Sequence, residues 1–313
     1  MAVDLSCSIG GISINPCLMN TPGPRSSTPM ELAALSHSRA GAVVTAPLAR
    51  QPPPRPPAPY YFEFDGSSLR SPGAWTVGQE DAVGVLAAAR QGGKPVIACV
   101  AATTVEDYLE TATYVAQGGA DLVLLDLSCR AAPDSRILGY NFRLAEKVMA
   151  EVRERVACPV GARLPIYLDV LNVEAMASAA IRAGIDFLVS VSPAAAALGV
   201  DTRGQTVLRT RDGVGELAGT AIKPMALANV RVLCQVCAGR LPVIGAGGVG
   251  SGQDALEFLL VGASAVQVGT ALVRHGAALF ADIESSLGQL LIGLGFTTAK
   301  AAIGRAREPA EPE

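Results

Sequence analysis

Cys129 lies near the end of the stretch Leu125-Asp126-Leu127-Ser128-Cys129-Arg130, where an apolar run gives way to polar residues. A thiolate can serve as base or nucleophile, and a neighbouring guanidinium such as Arg130 favours that charged form. A buried structural cysteine fits the same residue. The second candidate is Gly245-Ala246-Gly247-Gly248-Val249-Gly250-Ser251-Gly252, directly after an apolar run and followed later by Gly269-Thr270. Glycines let backbone N–H groups approach an anion, and a helix N-terminus adds positive dipole. The pattern reads as a phosphate grip for a cofactor or substrate. As a dinucleotide fingerprint it is loose, since no acidic ribose partner stands about 20 residues on. A purely structural turn is the other reading.

Arg163 interrupts the apolar run Gly161-Ala162-Arg163-Leu164-Pro165. A cation there must face a cavity or a partner, because an unpaired buried charge is costly. Lys223, just before a helical pattern, reads equally as a functional or a solvated lysine. Cys234-Gln235-Val236-Cys237 has metal-like spacing but lies inside a helical pattern without a second ligand pair, so it reads as core. His275 reads as a surface or satisfied histidine.

Eight short apolar runs must position these groups: 17–21, 41–45, 95–100, 122–127, 160–164, 187–191, 241–245 and 265–269. Near-continuous Val, Ile, Leu and Ala marks strands covered on both faces, as parallel strands are. Amphipathic stretches alternate with them at 29–38, 79–91, 104–117, 141–156, 173–183, 226–238 and 253–261. Eight such units predict a (β/α)8 TIM barrel over residues 1–304, as a single domain. A doubly wound open sheet satisfies the same alternation. Two segments break the repeat. Residues 46–78 hold six prolines in the nine positions 51–59 and predict a rigid loop over the barrel. Residues 192–225 contain Thr206 to Arg211 followed by Asp212-Gly213, which predicts an inserted hairpin at the C-terminal face. The charged, Pro-containing end 305–313 predicts a disordered tail.

Composition narrows the function. The 313 residues carry 25 Lys plus Arg against 28 Asp plus Glu, a net charge of -3, with a pI near 5.6. No basic field for nucleic acid or for an anionic membrane follows from this. Hydrophobic residues make up 50% and charged residues 17%, which excludes a disordered chain. The seven cysteines are odd in number and no secretory signal precedes them, so reduced thiols and a cytoplasmic protein are expected. Two histidines make a His-rich metal site an unsuitable expectation, and no metal is called for. No uncharged apolar stretch of membrane-spanning length is present.

The chain resembles the dihydroorotate dehydrogenases, most closely their soluble class-1 branch. The resemblance runs from Asn15-Pro16 to about Gly295. It is densest in Ile222 to Arg231 and in Gly245 through Thr270, and includes Leu127-Ser128-Cys129, Leu164 to Asp169, and Asn20-Thr21-Pro22-Gly23. It implies FMN at the C-terminal mouth of the barrel. Gly247, Gly248, Gly269 and Thr270 would then bind the phosphate, and Thr21, Pro22 and Gly23 would line the flavin. Thr45, Asp126, Val191 and Gly219 join the same cofactor set. Arg163 takes the place of the family's lysine near the ring, keeping the charge with another geometry. Cys129 falls on the family's base, which takes a proton from C5 of dihydroorotate while hydride passes from C6 to flavin N5. Fumarate as acceptor and a homodimer are further implications.

The departures are specific. The expected lysine after the second strand is Ala46. Asp126 and Ala131 replace asparagines, Ser192-Pro193 replaces an Asn-Ser pair, and the substrate-loop asparagine has no counterpart in Ser68-Leu69-Arg70-Ser71. The phosphate half of the motif set is kept and the orotate half is rewritten. Arg70 or Arg130 is the candidate carboxylate clamp, with Ser192 also near the substrate, and Asp126 is unwelcome near an anionic substrate unless it pairs with a nearby arginine such as Arg130. The same chain could instead act on another cyclic dihydro-amide or enoate, or bind flavin without turnover.

Overall fold

The apolar runs become eight parallel strands that close on themselves. In a computed structural model describing residues 3–131 and 136–308, they are β1 (Leu18–Asn20), β2 (Val43–Val44), β3 (Val96–Val100), β4 (Leu122–Asp126), β5 (Val160–Leu164), β6 (Phe187–Ser190), β7 (Val243–Ala246) and β8 (Ala265–Val268). Each pairs with its successor from β2 to β8, and β8 pairs with β1. The ring closes where Met19 bridges Ala42. There the Asn20 side chain accepts from Val44 N at 2.9 Å and donates to Val44 O at 2.6 Å. A buried amide thus supplies the bonds that the two-residue β2 is too short to make. The closed barrel rather than the open sheet is the architecture, and every residue of these eight strands is buried on the inner or outer face.

The covering helices are α1 (Pro29–Ser36), α2 (Ala82–Arg90), α3 (Val105–Gln117), α4 (Phe142–Arg155), α5 (Val170–Arg182), α6 (Lys223–Cys237), α7 (Gly252–Leu260) and α8 (Leu279–Gly293). Their starts follow capping chemistry. Thr28 and Glu31 form a reciprocal capping box with Pro29 at the first position, and Thr104, Asn141 and Ser251 cap α3, α4 and α7 through their side chains. The α8 helix was not among the seven stretches read from periodicity, although Leu279, Phe280, Ile283, Leu287 and Leu291 bury one face of it. A hairpin of Cys7–Ile9 and Ile12–Ile14 sits at the other end of the barrel. A Cβ on its Gly10 would come within 2.5 Å of Pro159, just ahead of β5.

The two irregular segments are one structure. Tyr61–Phe64 and Ser67–Arg70 come from the first, Ala194–Ala197 and Gly215–Gly219 from the second, and together they make a four-stranded antiparallel sheet. The second insertion does contribute an antiparallel pair to this canopy, Ala194–Ala197 with Gly215–Gly219, but residues 206–211 are not its strands. Residues 206–211 form no strand, and Asp212 at φ 59 lies in a short 3-10 turn over Arg211–Gly213. The true pairing partners flank that segment, and Ser67–Arg70 separates them from the outer strand. At the other end of the chain, the amides of Arg305 and Ala306 donate to Ala302 and Leu260. The rest of the expected tail, from 309, falls outside the described residues.

Candidate functional site

The strand ends and the canopy enclose three cavities in a row. The outer one, about 500 Å³, is lined by Gly23, Arg70, Trp75, Asp126, Cys129, Arg130 and Glu216 among others. A narrow central cradle is lined by Thr21, Pro22, Arg163, Val191, Gly219, Gly247, Gly248, Gly269 and Thr270, and shares Arg70 and Trp75 with the outer cavity. An inner cavity of about 170 Å³ lies among Ser67, Thr220, Gly250, Ala271 and Arg274, and shares Gly219, Gly248 and Thr270 with the cradle.

The cradle is made of main chain. Gly247 and Gly248 turn at φ 122 and 79, conformations that L side chains rarely adopt. A Cβ on Gly248 would stand 2.7 Å from Lys223 Cβ and 3.0 Å from Gly219 O. One on Gly269 would stand 2.6 Å from Thr21 Oγ1. The Ser68 hydroxyl contacts that of Thr270 at 3.3 Å, tying the canopy to the end of β8. Lys223 is not a solvated lysine: it forms ion pairs with Asp254 and Glu257, the latter at 2.6 Å, and staples α6 to α7. Burial lowers the Lys223 pKa, but the bonds to Asp254 and Glu257 outweigh it and the net shift is upward. His275 is exposed at the rim of the inner cavity.

The outer cavity is made of side-chain pairs. Arg70 and Glu216 face each other across adjacent canopy strands, with Nε to Oε2 at 2.8 Å. The Arg70 guanidinium lies 5.2 Å from the centre of the Trp75 ring, and Tyr61 meets the same ring edge-on at 5.7 Å. Arg130 lines the same cavity. The arginine that Asp126 pairs with is Arg163. Arg163 Nη1 donates to Asp126 Oδ2 at 2.9 Å, and both side chains are 5% exposed or less. Adjacent positions on β4 and β5 hold the two in register.

Cys129 follows β4 and is half-buried on the wall of the outer cavity. Burial, then the Asp126 and Glu216 carboxylates, push its thiol well above the ordinary value, while the Tyr108 hydroxyl and Arg163 offset part of this. The expectation of a thiolate favoured by Arg130 is therefore reversed. Tyr108 went unnoticed in the sequence; its hydroxyl donates to the Asp126 carbonyl at 2.7 Å.

Two further expected site residues make bonds within the barrel wall. The Thr45 hydroxyl accepts from Cys99 N at 3.1 Å and is not among the cavity-lining residues. Ser192 turns away: its hydroxyl and amide both donate to Leu164 O, at 3.1 and 2.8 Å, while Pro193 lines the cradle. Ala46, where the resemblance expects a lysine, is fully buried with its amide bonded to Ser26 O. Glu216 and Trp75 were missed because only the pairing of the two distant insertions brings them to the cavity.

The cradle fits a flat, phosphate-bearing cofactor. Its glycines leave space that a Cβ would fill, and buried polar atoms around it keep no partner: Arg163 Nε, Ser190 Oγ beside Val191, and both amide atoms of Gln267 near Gly269. Native proteins leave few such groups unsatisfied. Among the described residues no cluster of three or more His, Cys, Asp or Glu could hold a metal ion, and no helix is long and apolar enough to cross a membrane.

Comparison with known proteins bears on the family and the fold. A family model described as dihydroorotate dehydrogenase matches residues 4–291. The chain is 30% identical over 297 residues to a putative dihydroorotate dehydrogenase A (fumarate) of Streptococcus agalactiae serotype V, covering 94% of this chain and 96% of the relative. It is 30% identical over 283 residues to dihydroorotate dehydrogenase A (fumarate) of Lactococcus lactis subsp. lactis, covering 89% and 91%. Among solved structures, DHODH from Eimeria tenella, crystallised with ferulenol, superposes with a TM-score of 0.79 at 17% identity, covering 96% of this chain and 88% of that one.

Proposed function

The chain belongs to the dihydroorotate dehydrogenase family, and from that premise we propose that it is an FMN-dependent oxidoreductase converting dihydroorotate to orotate. The observation that carries this is the continuity of the three cavities, with glycines at the inner end and Cys129 at the outer. Gly247, Gly248, Gly269 and Thr270 would hold the phosphate end of the cofactor, and Thr21, Pro22, Val191 and Gly219 would flank its ring system. The flavin, when bound, supplies the two-electron acceptor for the C6 hydride.

The chain's own residues do the rest. Cys129 would take the C5 proton, which with loss of the C6 hydride leaves the C5–C6 double bond of orotate. Because burial and two carboxylates disfavour its thiolate, that step would speed up as pH rises. Arg70 would meet the substrate carboxylate with its terminal nitrogens, its Nε being held by Glu216. Fumarate as acceptor and a homodimeric assembly belong to the same proposal.

A second reading has one observation in its favour. Arg50, Arg70 and Arg163 each already face a carboxylate, which suits a neutral cyclic dihydro-amide better than an acid. Anaerobic mixing of the flavin-loaded protein separates the two. Bleaching of the flavin band by dihydroorotate supports the first reading. Bleaching by dihydrouracil but not by dihydroorotate selects the second. Flavin that neither substrate reduces refutes both.

A further inference from the structure

Asp126 stands where the cradle and the outer cavity meet, and the proposed proton and hydride transfers do not use it. Its side chain lies on the outer cavity wall, while its partner Arg163 lines the cradle. Both carboxylate oxygens are fixed. Oδ2 accepts from Arg163 at 2.9 Å, and Oδ1 accepts from the Ser128 amide at 3.0 Å and from the Ser128 hydroxyl. Arg163 Nε is buried without a hydrogen-bond partner. Such a donor is costly to leave unpaired, so an acceptor on the cradle's occupant is its natural complement. The cation facing the cradle therefore carries a counter-charge at contact distance, and burial keeps water and salt from screening either one.

We propose that Asp126 sets the reduction potential of the bound flavin, by neutralising Arg163 and holding its Nε toward the cradle. A lone cation beside the ring favours the reduced, anionic form; the carboxylate offsets that preference and lowers the potential. Asp126 is a positioning residue. The proposal rests on reading the cradle as a flavin site, and on nothing about the substrate.

The test is spectroelectrochemical titration of the flavin bands in the purified, FMN-loaded protein without substrate. Asp126→Asn keeps the shape and removes the charge. At a fixed applied potential its ratio of reduced to oxidised flavin is expected to rise at least about tenfold, or ~30 mV for a two-electron couple. Arg163→Gln is expected to shift the ratio the other way, and the double variant, with both charges removed and the net charge of the wild-type pair restored, to return close to wild type. An Asp126→Asn protein that holds flavin at the wild-type potential overturns the proposal. Should Asp126→Asn fail to fold, the double variant decides: its potential must lie above that of Arg163→Gln, and equality of the two overturns the proposal. A protein that takes up no FMN at all overturns the flavin reading and this inference with it. A yellow protein whose potential ignores Asp126 overturns this inference alone.

Discussion

Around Gly247, Gly248 and Gly269 the site is backbone, and around Arg70, Asp126 and Glu216 it is paired charge. The cradle's shape comes from how strands β7 and β8 end and how closely helices follow them, so almost any side chain there would collide. The outer cavity's character comes from side chains whose backbone would accept many others. That difference explains how the chain can keep the glycine motifs on which its resemblance rests while departing at the positions expected around the substrate. A backbone site is tied to the fold; a side-chain site is free to be rewritten, provided each buried charge keeps a partner.

The largest expected effect lies in the cradle. Gly248→Val places a branched side chain at φ 79, against Lys223 Cβ and Gly219 O. Strain of about 1–3 kcal/mol at such a position, together with the lost space, is expected to yield folded protein without flavin. Full flavin content in this variant would break the contrast between the two ends.

Cys129→Ser tests the outer end alone. Flavin content should stay at the wild-type level while anaerobic flavin reduction by substrate slows by about 10²–10⁴-fold, the usual worth of a positioned base. In the wild type the reduction rate should still be climbing above the ordinary thiol pKa of about 8.5, because the Cys129 thiol is shifted upward. A rate that levels off near neutral pH would assign the proton to another group.

Asp126→Ala leaves the Arg163 charge buried and alone. Unfolding by urea should show a loss of about 3–5 kcal/mol, as for other broken buried pairs. Arg39→Ala, which removes an ion pair with Glu284 at the surface, should cost no more than about 1 kcal/mol. Similar losses in the two variants would mean that water reaches Asp126.

Among the site variants the smallest effect concerns Glu216. Glu216→Gln releases Arg70 from its carboxylate and should lower the KM for dihydroorotate by about tenfold, just under the ~1.5 kcal/mol lower bound for a charged hydrogen bond. An unchanged KM would remove Arg70 from the role of clamp.

Much of the barrel was legible because parallel strands covered on both faces leave unbroken apolar runs. β5 spans the predicted residues 160–164, and the other seven strands differ from their predicted spans by a few terminal residues at most. Glycine positions in the cradle were equally readable, since only glycine serves at φ 79 or 122. Pairings between distant side chains were not. Asp126 has arginines nearby in sequence and in space, and only the β4–β5 register identifies Arg163 as a partner. Thr45 and Ser192 occupy the right segments but spend their hydroxyls on Cys99 N and Leu164 O. The direction a side chain points at a strand end does not follow from its type. The canopy was hidden for the same reason, as its strands are short and its pairing spans the whole length between the two insertions.

Because Ser67–Arg70 is seated against Gly215–Gly219, the roof of the site has two authors in the gene. Transplanting residues 46–78 into a relative without residues 192–225 would deliver an edge with no mate and an Arg70 with no Glu216. Engineers wishing to transfer this chain's substrate preference should treat the two insertions as a single exchangeable cassette.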